Sequence, residues 1–497
     1  MKFLYYDLIF LAIFCLSMAL LFLRNKKNVS VEGKFFIIYR TKIGLNLINF
    51  LGSRFKKTLK VMSGIITSTG YLLMVFAVFL FVQTIVIAIK MPEVLKIAKV
   101  PPIMPLIPYL PQIFNIDFLP PFYFTYWIIA VAIIAIFHES AHGIFSRFYK
   151  VRVKSTGFGF LGPFLAAFVE PDEKQLAKKG RKEQIAVLSA GSFANLVIAF
   201  IFIAVIALFF YCCFVPQGVQ FETYVSSAVN ISSITAVSNR PMYNPGIKEI
   251  SSAMKSLESA DIIIRVNSKN INLTKISTLN STYFAVTETL KRELAEEIKK
   301  NTSSAQQLLV FDDTPALHAG LQGAITKINS QSINNMNEFG IQLSKLKPNE
   351  EVTIEVINKD YSKEYYRIML SNRTDNSTKA FLGVGFLELI PRKGILGLIG
   401  KMITKFKSPN KFYVPRYSVS LTIFIYNLLW WIIMINLSVA IVNMLPLGIF
   451  DGGRVFYLTM LTITKSDKKA KFLYKAMTYL LLGLVIALTV FWAFVML

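Results

Sequence analysis

Two histidines and a glutamate stand together in one short run, Ala135-Ile136-Phe137-His138-Glu139-Ser140-Ala141-His142-Gly143. Spaced four apart, His138 and His142 share one helical face a turn from each other, so both rings can reach a single metal ion. Glu139, beside the first histidine, is placed to take a proton from a water. This H-E-x-x-H spacing is that of zinc-assisted hydrolysis. The whole chain has three histidines, and two of them are here. His and Glu at membrane depth are costly and mark function more often than packing. The run reads as a metal site.

A metal held by two histidines needs a third ligand, with a fourth position left open for hydrolysis. Asp451 is the natural choice, in Asn443-Met444-Leu445-Pro446-Leu447-Gly448-Ile449-Phe450-Asp451-Gly452-Gly453-Arg454. On a straight helix Asn443 and Asp451 would stand about 80° apart around the axis. Pro446 and Gly448 predict a break there that turns both side chains toward one cavity. Gly452 and Gly453 predict a close backbone approach. A glutamate downstream of the histidines is the rival third ligand, and Glu170, Glu173 or Glu183 could serve. Asn195, in Gly191-Ser192-Phe193-Ala194-Asn195, is a polar side chain inside an apolar run and needs a partner. It reads as a hydrogen bond between helices or as a donor to substrate.

These residues must be positioned by elements that cross a bilayer. Of 497 residues 54% are hydrophobic, 42 are Phe, and mean hydropathy is +0.51. Six runs reach membrane length: about 3–23, 61–89, 122–146, 185–214, 419–447 and 476–497. The fold class is a polytopic α-helical membrane protein of about six transmembrane helices with one inserted α+β domain. The net charge of +25 suggests nucleic acid at first sight. Its lysines and arginines sit beside apolar spans, however, where retention on the cytoplasmic side explains them, and no nucleic-acid partner is expected. Residues 24–60 hold ten Lys/Arg and 147–184 hold nine, whereas 91–121 hold only Lys96 and Lys99. This alternation puts both termini and residues 215–415 outside the cell membrane, and His138 and His142 toward the cytoplasmic end of the third span. Cys15, Cys212 and Cys213 form no C-x-x-C, so neither a disulfide framework nor a cysteine metal site is expected.

The organisation that follows has four parts. Residues 1–60 are a first span and a basic loop, and 61–214 are membrane core with the H-E-x-x-H and G-x-x-x-N runs. Residues 215–415 are an extracytoplasmic domain, and 416–497 return to the membrane with the Asp-Gly motif and the last span. Residues 91–121 carry eight prolines and predict an irregular outer loop. Ser155–Asp172 is apolar, but its glycines and Pro163 argue against a long helix. A re-entrant hairpin beside the metal, offering a strand edge to an unwound substrate, and a greasy interfacial loop are both open readings.

In the polar domain, a helix opens near Thr314–Leu321, a strand covers Ala324–Asn329, and a helix runs over Met336–Lys345. Strands Val352–Asn358 and Glu364–Leu370 flank a Lys359-Asp360 turn. This order resembles the second half of a PDZ domain, at about 312–390. Asn349 stands at the left-handed turn after Lys347-Pro348. Residues 220–311 show no clean pattern, and His318 reads as a surface residue. Six N-x-S/T triplets, starting at Asn230, Asn272, Asn280, Asn301, Asn372 and Asn376, make glycosylation possible. Gly394–Lys407 predicts an interfacial helix.

Together His138-Glu139-x-x-His142, Gly191-x-x-x-Asn195 and Asn443-x-x-Pro446-x-x-x-x-Asp451-Gly452 resemble the site-2 protease family of intramembrane zinc metalloproteases. Phe168-Val169-Glu170-Pro171-Asp172-Glu173 is similar to the archaeal version. Ser192 departs from the proline often found after the glycine of the G-x-x-x-N motif. The resemblance implies zinc held by His138, His142 and Asp451, with Glu139 as catalytic base. It further implies that Asn195 and Asn443 bind the substrate backbone or steady the oxyanion. The implied substrates are transmembrane proteins already trimmed by another protease, cut within the membrane in regulated intramembrane proteolysis, with the PDZ-like module as a filter and lipid as surroundings. Two rivals remain. One is a membrane-embedded quality-control zinc protease with a glutamate third ligand, and the other is a non-catalytic PDZ-bearing scaffold. The base Glu139 argues against the scaffold.

Overall fold

In a computed structural model the described residues are 2–24, 29–32, 36–90, 106–114, 116, 119–161, 164–238, 240–255, 263–266, 269–286, 307–372, 379–386, 407–408 and 410–496. They form two compact units, Met1–Phe209 with Ser420–Leu497, and Phe210–Val419.

The first unit holds the long helices. They are α1 (Lys2–Arg24), α2 (Leu45–Arg54), α3 (Lys56–Lys90), α4 (Phe124–Phe148), α5 (Arg181–Cys213), α6 (Val419–Val442), α7 (Asp451–Thr464) and α8 (Asp467–Met496). All but α2 and α7 are long and apolar enough to cross a membrane, which makes six spans among the described residues. The six apolar runs of the sequence are these helices. Their outward faces stay greasy, as in the exposed Leu72, Val75 and Phe79 of α3, because lipid replaces water as their solvent. Inside, Phe122, Trp127 and Ala130 pack against Trp431, Ile432 and Ile435, fixing α4 on α6. The N-terminus of α4 is capped from another helix. Asp7 of α1, buried to 1%, accepts from Phe124 N (2.8 Å), Thr125 N (2.9 Å), Thr125 Oγ1 and Tyr109 Oη (2.6 Å). That satisfies backbone donors which every helix start leaves open.

A four-stranded antiparallel sheet completes this unit, in the order β1 (Val29–Glu32), β2 (Phe36–Thr41), β3 (Val153–Leu161), β4 (Phe164–Pro171). Ser155–Asp172 is therefore a hairpin rather than a loop, with Thr156 opposite Val169 and Gly157 opposite Phe168. Strands β1 and β2 come from the segment read as a plain basic loop. Among the described residues β4 pairs only with β3 and forms the edge of the sheet.

The second unit holds two larger sheets. Strand Phe214–Gln220 joins Ala324–Ile328, Glu351–Ile357, Lys363–Met369 and Lys411–Pro415 in one of them. Helix Met336–Ser344 packs on it through buried Phe339, over a core of Ile325, Ile354, Val356 and Leu370. The strands, the helix and the Lys359–Asp360 turn lie where the sequence puts them, and Asn349 has φ +63°. Between residues 226 and 312 stands a separate seven-stranded sheet covered by helix Ile247–Lys255. It has its own core of Ile234, Val237, Ile250, Ile276 and Val310. The interfacial helix expected over 394–407 falls, but for Lys407, outside the described residues, as does most of the 91–121 loop.

Candidate metal centre

Helix α4 carries His138, Glu139 and His142 on consecutive turns near its C-terminal end, and α5 supplies the wall against which both rings rest. His142 Nδ1 lies 2.7 Å from the carbonyl oxygen of Val187. A carbonyl can only accept, so Nδ1 carries the proton and Nε2 presents its lone pair on the other side of the ring. There it meets His138 Nε2 at 3.1 Å. Asp451 Oδ2 completes a triangle, 3.3 Å from His142 Nε2 and 3.7 Å from His138 Nε2. Among the described residues these three are the group whose donor atoms could hold a metal, all within 4.8 Å of one another.

The donor set fits zinc. Two imidazoles and one carboxylate at bonds of 2.0–2.1 Å in a tetrahedron would stand about 3.3 Å apart, close to the spacing seen. The cradle fits as well. A Cβ on Gly191 would lie 2.4 Å from His142 Nε2 and 2.6 Å from His138 Nε2, so the rings occupy space that only glycine leaves.

Asp451 arrives there because α6 stops at Val442. Residues 443–450 turn back in irregular backbone, and α7 starts at Asp451 itself. Gly452 N donates to Asn443 O at 2.8 Å and closes the loop. A Cβ at Gly452 would sit 2.3 Å from Met444 C, and one at Gly453 2.1 Å from Leu447 O. The close approach expected of the Gly-Gly pair is met by both.

Glu139 stands beside the donor cluster rather than in it, and its Oε2 accepts from Val169 N of β4 at 2.8 Å. A cavity of about 950 Å³ opens over His138, Glu139, His142, Val169, Asn443 and Asp451. Asn195 is not on its wall. It is fully buried, with Nδ2 3.0 Å from His138 Nδ1, on the side of the ring turned away from the cluster. Glu170 is held by Ser155 Oγ at 2.6 Å, Glu173 lies 3.6 Å from Arg454, and Glu183 accepts from Gly180 N at 2.9 Å. None of the three is part of the donor cluster. The Val187 carbonyl and the Val169 N–H are backbone groups, for which a sequence carries no signal.

The family model of Peptidase family M50 matches residues 126–486, from inside α4 to inside α8. The chain belongs to Peptidase family M50. That family is the site-2 protease family, whose members are multi-pass membrane zinc metalloproteases. An uncharacterized protein of Methanocaldococcus jannaschii is 34% identical over 181 residues, which is 35% of this chain and 44% of that protein. The chain thus spans less than half the length of the curated relative it matches. The M50 match takes in His138, Glu139, His142, Asn195, Asn443 and Asp451.

Proposed function

We propose that the chain hydrolyses peptide bonds within or near transmembrane helices of membrane-protein substrates. The observation that carries this is the convergence of His138, His142 and Asp451 at one point of a cavity that also holds Glu139. His138 and His142 through Nε2, and Asp451 through its carboxylate, would hold zinc. Bound zinc supplies a Lewis acid that acidifies a water and polarises the scissile carbonyl. Glu139 takes the proton of the attacking water and returns it to the leaving amine. Val169 N–H keeps one Glu139 oxygen in place and leaves the other to work. Asn443, on the cavity wall, is proposed to hold the substrate backbone or steady the oxyanion. Asn195 meets His138 on its far side and reaches substrate only through that ring.

A helical peptide bond is hydrogen-bonded and hidden, so the substrate must unwind. An extended substrate segment would add to the sheet along the edge strand β4, which runs past Glu139. We further propose that the site faces the cytoplasmic side, with both termini and the polar unit outside, on the charge alternation of the loops. The polar unit, with its PDZ-like order of elements, would then admit only substrates trimmed by another protease, as in regulated intramembrane proteolysis.

The test is cleavage of a reconstituted one-span substrate by wild type and by Glu139→Gln, with zinc measured in both. Glu139→Gln should keep zinc and lose cleavage. Retained cleavage would remove the mechanism, and loss of zinc together with cleavage would make Glu139 structural.

A further inference from the structure

We infer that Asn195 sets the tautomer of His138, acting as the hydrogen-bond acceptor that leaves Nε2 free for the metal. This rests on the reading of His138 as a zinc ligand. Val187, Gly191 and Asn195 fall at i, i+4 and i+8, so α5 turns one stripe toward both histidine rings. Each member meets them differently. The Val187 carbonyl takes the Nδ1–H of His142. Gly191 leaves room for both Nε2 atoms. Asn195, one turn on, stands 3.0 Å from Nδ1 of His138.

Two settings of the Asn195 amide are open, related by a half turn of its last bond. With Nδ2 toward His138, the ring must accept at Nδ1 and carry its proton on Nε2. That proton would point into the donor cluster, where it blocks metal binding and faces His142 Nε2 at 3.1 Å. Oδ1 is then buried without a partner among the described residues. With the amide turned over, Oδ1 accepts from Nδ1–H, and Nε2 presents a lone pair as His142 does. Either setting leaves one amide atom unpaired, so the choice falls to the ring, and only the second makes His138 a ligand. A metal-bound histidine commonly donates its other N–H to an acceptor, and loss of that acceptor weakens the metal. His142 uses a backbone carbonyl for this, and His138 uses a side chain.

Asn195 is therefore a positioning residue. A role as donor to substrate would need its N–H, whereas an acceptor role needs only its oxygen, and Asn195→Asp separates the two. Zinc affinity of the detergent-purified full chain, measured by competition with a chelator, is the readout, with substrate cleavage alongside. Asn195→Leu should weaken zinc about 10–100-fold. Asn195→Asp, nearly the same shape and a better acceptor, should hold zinc as tightly as wild type or more tightly. Should Asn195→Leu fail to fold, Asn195→Asp decides alone, because weakened zinc there overturns the inference. Wild-type zinc affinity in Asn195→Leu with cleavage lost would assign the residue to substrate and overturn it too. A wild type that binds no zinc would bring down the protease reading itself, and the inference with it.

Discussion

Gly191→Ala puts a methyl group in place of a hydrogen on the wall of the metal centre, and its effect can be worked from the geometry. The new Cβ would stand 2.4 Å from His142 Nε2, 2.5 Å from His138 Cε1 and 2.6 Å from His138 Nε2. Ordinary contact begins near 3.4 Å. Both rings must therefore retreat by about 1 Å, whereas metal bonds tolerate about 0.2 Å. His142 cannot retreat freely, since the Val187 carbonyl holds its other nitrogen at 2.7 Å. At least one ligand leaves the cluster, and zinc affinity should fall by about 100-fold or more, the upper end of what disturbing a ligand's support costs. The fold should suffer far less. Overpacking costs about 1–3 kcal/mol, and alanine in place of glycine within a helix returns about 1 kcal/mol. A folded protein with little zinc is the expected result, seen by metal analysis beside thermal unfolding of the same purified variant. Full zinc and wild-type cleavage in Gly191→Ala would refute the placement of the rings. Equal loss of zinc and fold would mean that packing, not ligation, is what the glycine serves.

Other outcomes follow from single contacts. Asp451→Asn should lower zinc content strongly while Glu170→Gln leaves it unchanged, because Glu170 is engaged by Ser155 rather than by the cluster. Normal zinc in the first and depleted zinc in the second would favour the glutamate-ligand protease. Asp7→Leu strands the Phe124 and Thr125 amide donors of α4 in a buried place, at about 1–3 kcal/mol for each. Its thermal midpoint should drop clearly, and an unchanged midpoint would deny the cap. In the polar unit, burial works to raise the Glu355 carboxyl, but bonds from Lys327, Lys363, Thr326 and Tyr365 outweigh it and hold it at about 2. Its contribution is then present above the ordinary 4.5 and is lost as pH falls toward about 2. Solvent around the two lysines reduces it to about 1–2 kcal/mol. Acid unfolding of the full chain should accordingly be less steep in Glu355→Gln, and an identical acid limb would show that the cluster adds no net stability.

What could be read from sequence was local. His138 and His142 announce themselves because four residues make one helical turn, and a helix is the most local of structures. The break before Asp451 was legible for the same reason, since Pro446, Gly448 and the Gly-Gly pair act on neighbouring backbone. Strands Val352–Asn358 and Glu364–Leu370 shift by one residue only, as their hairpin closes over a short turn. What escaped was set by distant partners. Val29–Glu32 and Phe36–Thr41 are short and flanked by lysines; Phe36–Thr41 becomes a strand against the edge of Val153–Leu161, more than a hundred residues away, and Val29–Glu32 then pairs with Phe36–Thr41. The sheet between residues 226 and 312 is built from short strands paired out of chain order, with β-bulged register and no sustained alternation. Helix α7 falls between the last two apolar runs and has no membrane-length signal of its own, because Arg454 and Lys465 at its ends interrupt the apolar stripe of Val455 and Leu458. Asp7 did leave a trace, as the lone acid in an apolar first span, and membrane-depth acids rarely lack a role.

The irregular stretch 443–450 shows how a membrane protein can place an acid where a helix cannot. Had α6 continued, Asn443 and Asp451 would diverge around its axis, and only one could face the histidines. Breaking the helix frees backbone groups at a depth where water is scarce, which is tolerated only if the protein satisfies them. It does so within the stretch itself: Gly452 N to Asn443 O at 2.8 Å, Leu447 N to Leu445 O at 2.8 Å, Phe450 N to Leu447 O at 3.0 Å and Gly453 N to Phe450 O at 3.1 Å. Two of those four donors are glycines whose Cβ atoms would collide with the returning chain. The same two glycines therefore close the turn and let α7 begin on Asp451. Its carboxylate comes to rest within 4 Å of both imidazoles instead of standing as an unpaired charge. The proposed ligand Asp451 and the glycines after it are one device, so the Asp-Gly-Gly order matters as much as the aspartate.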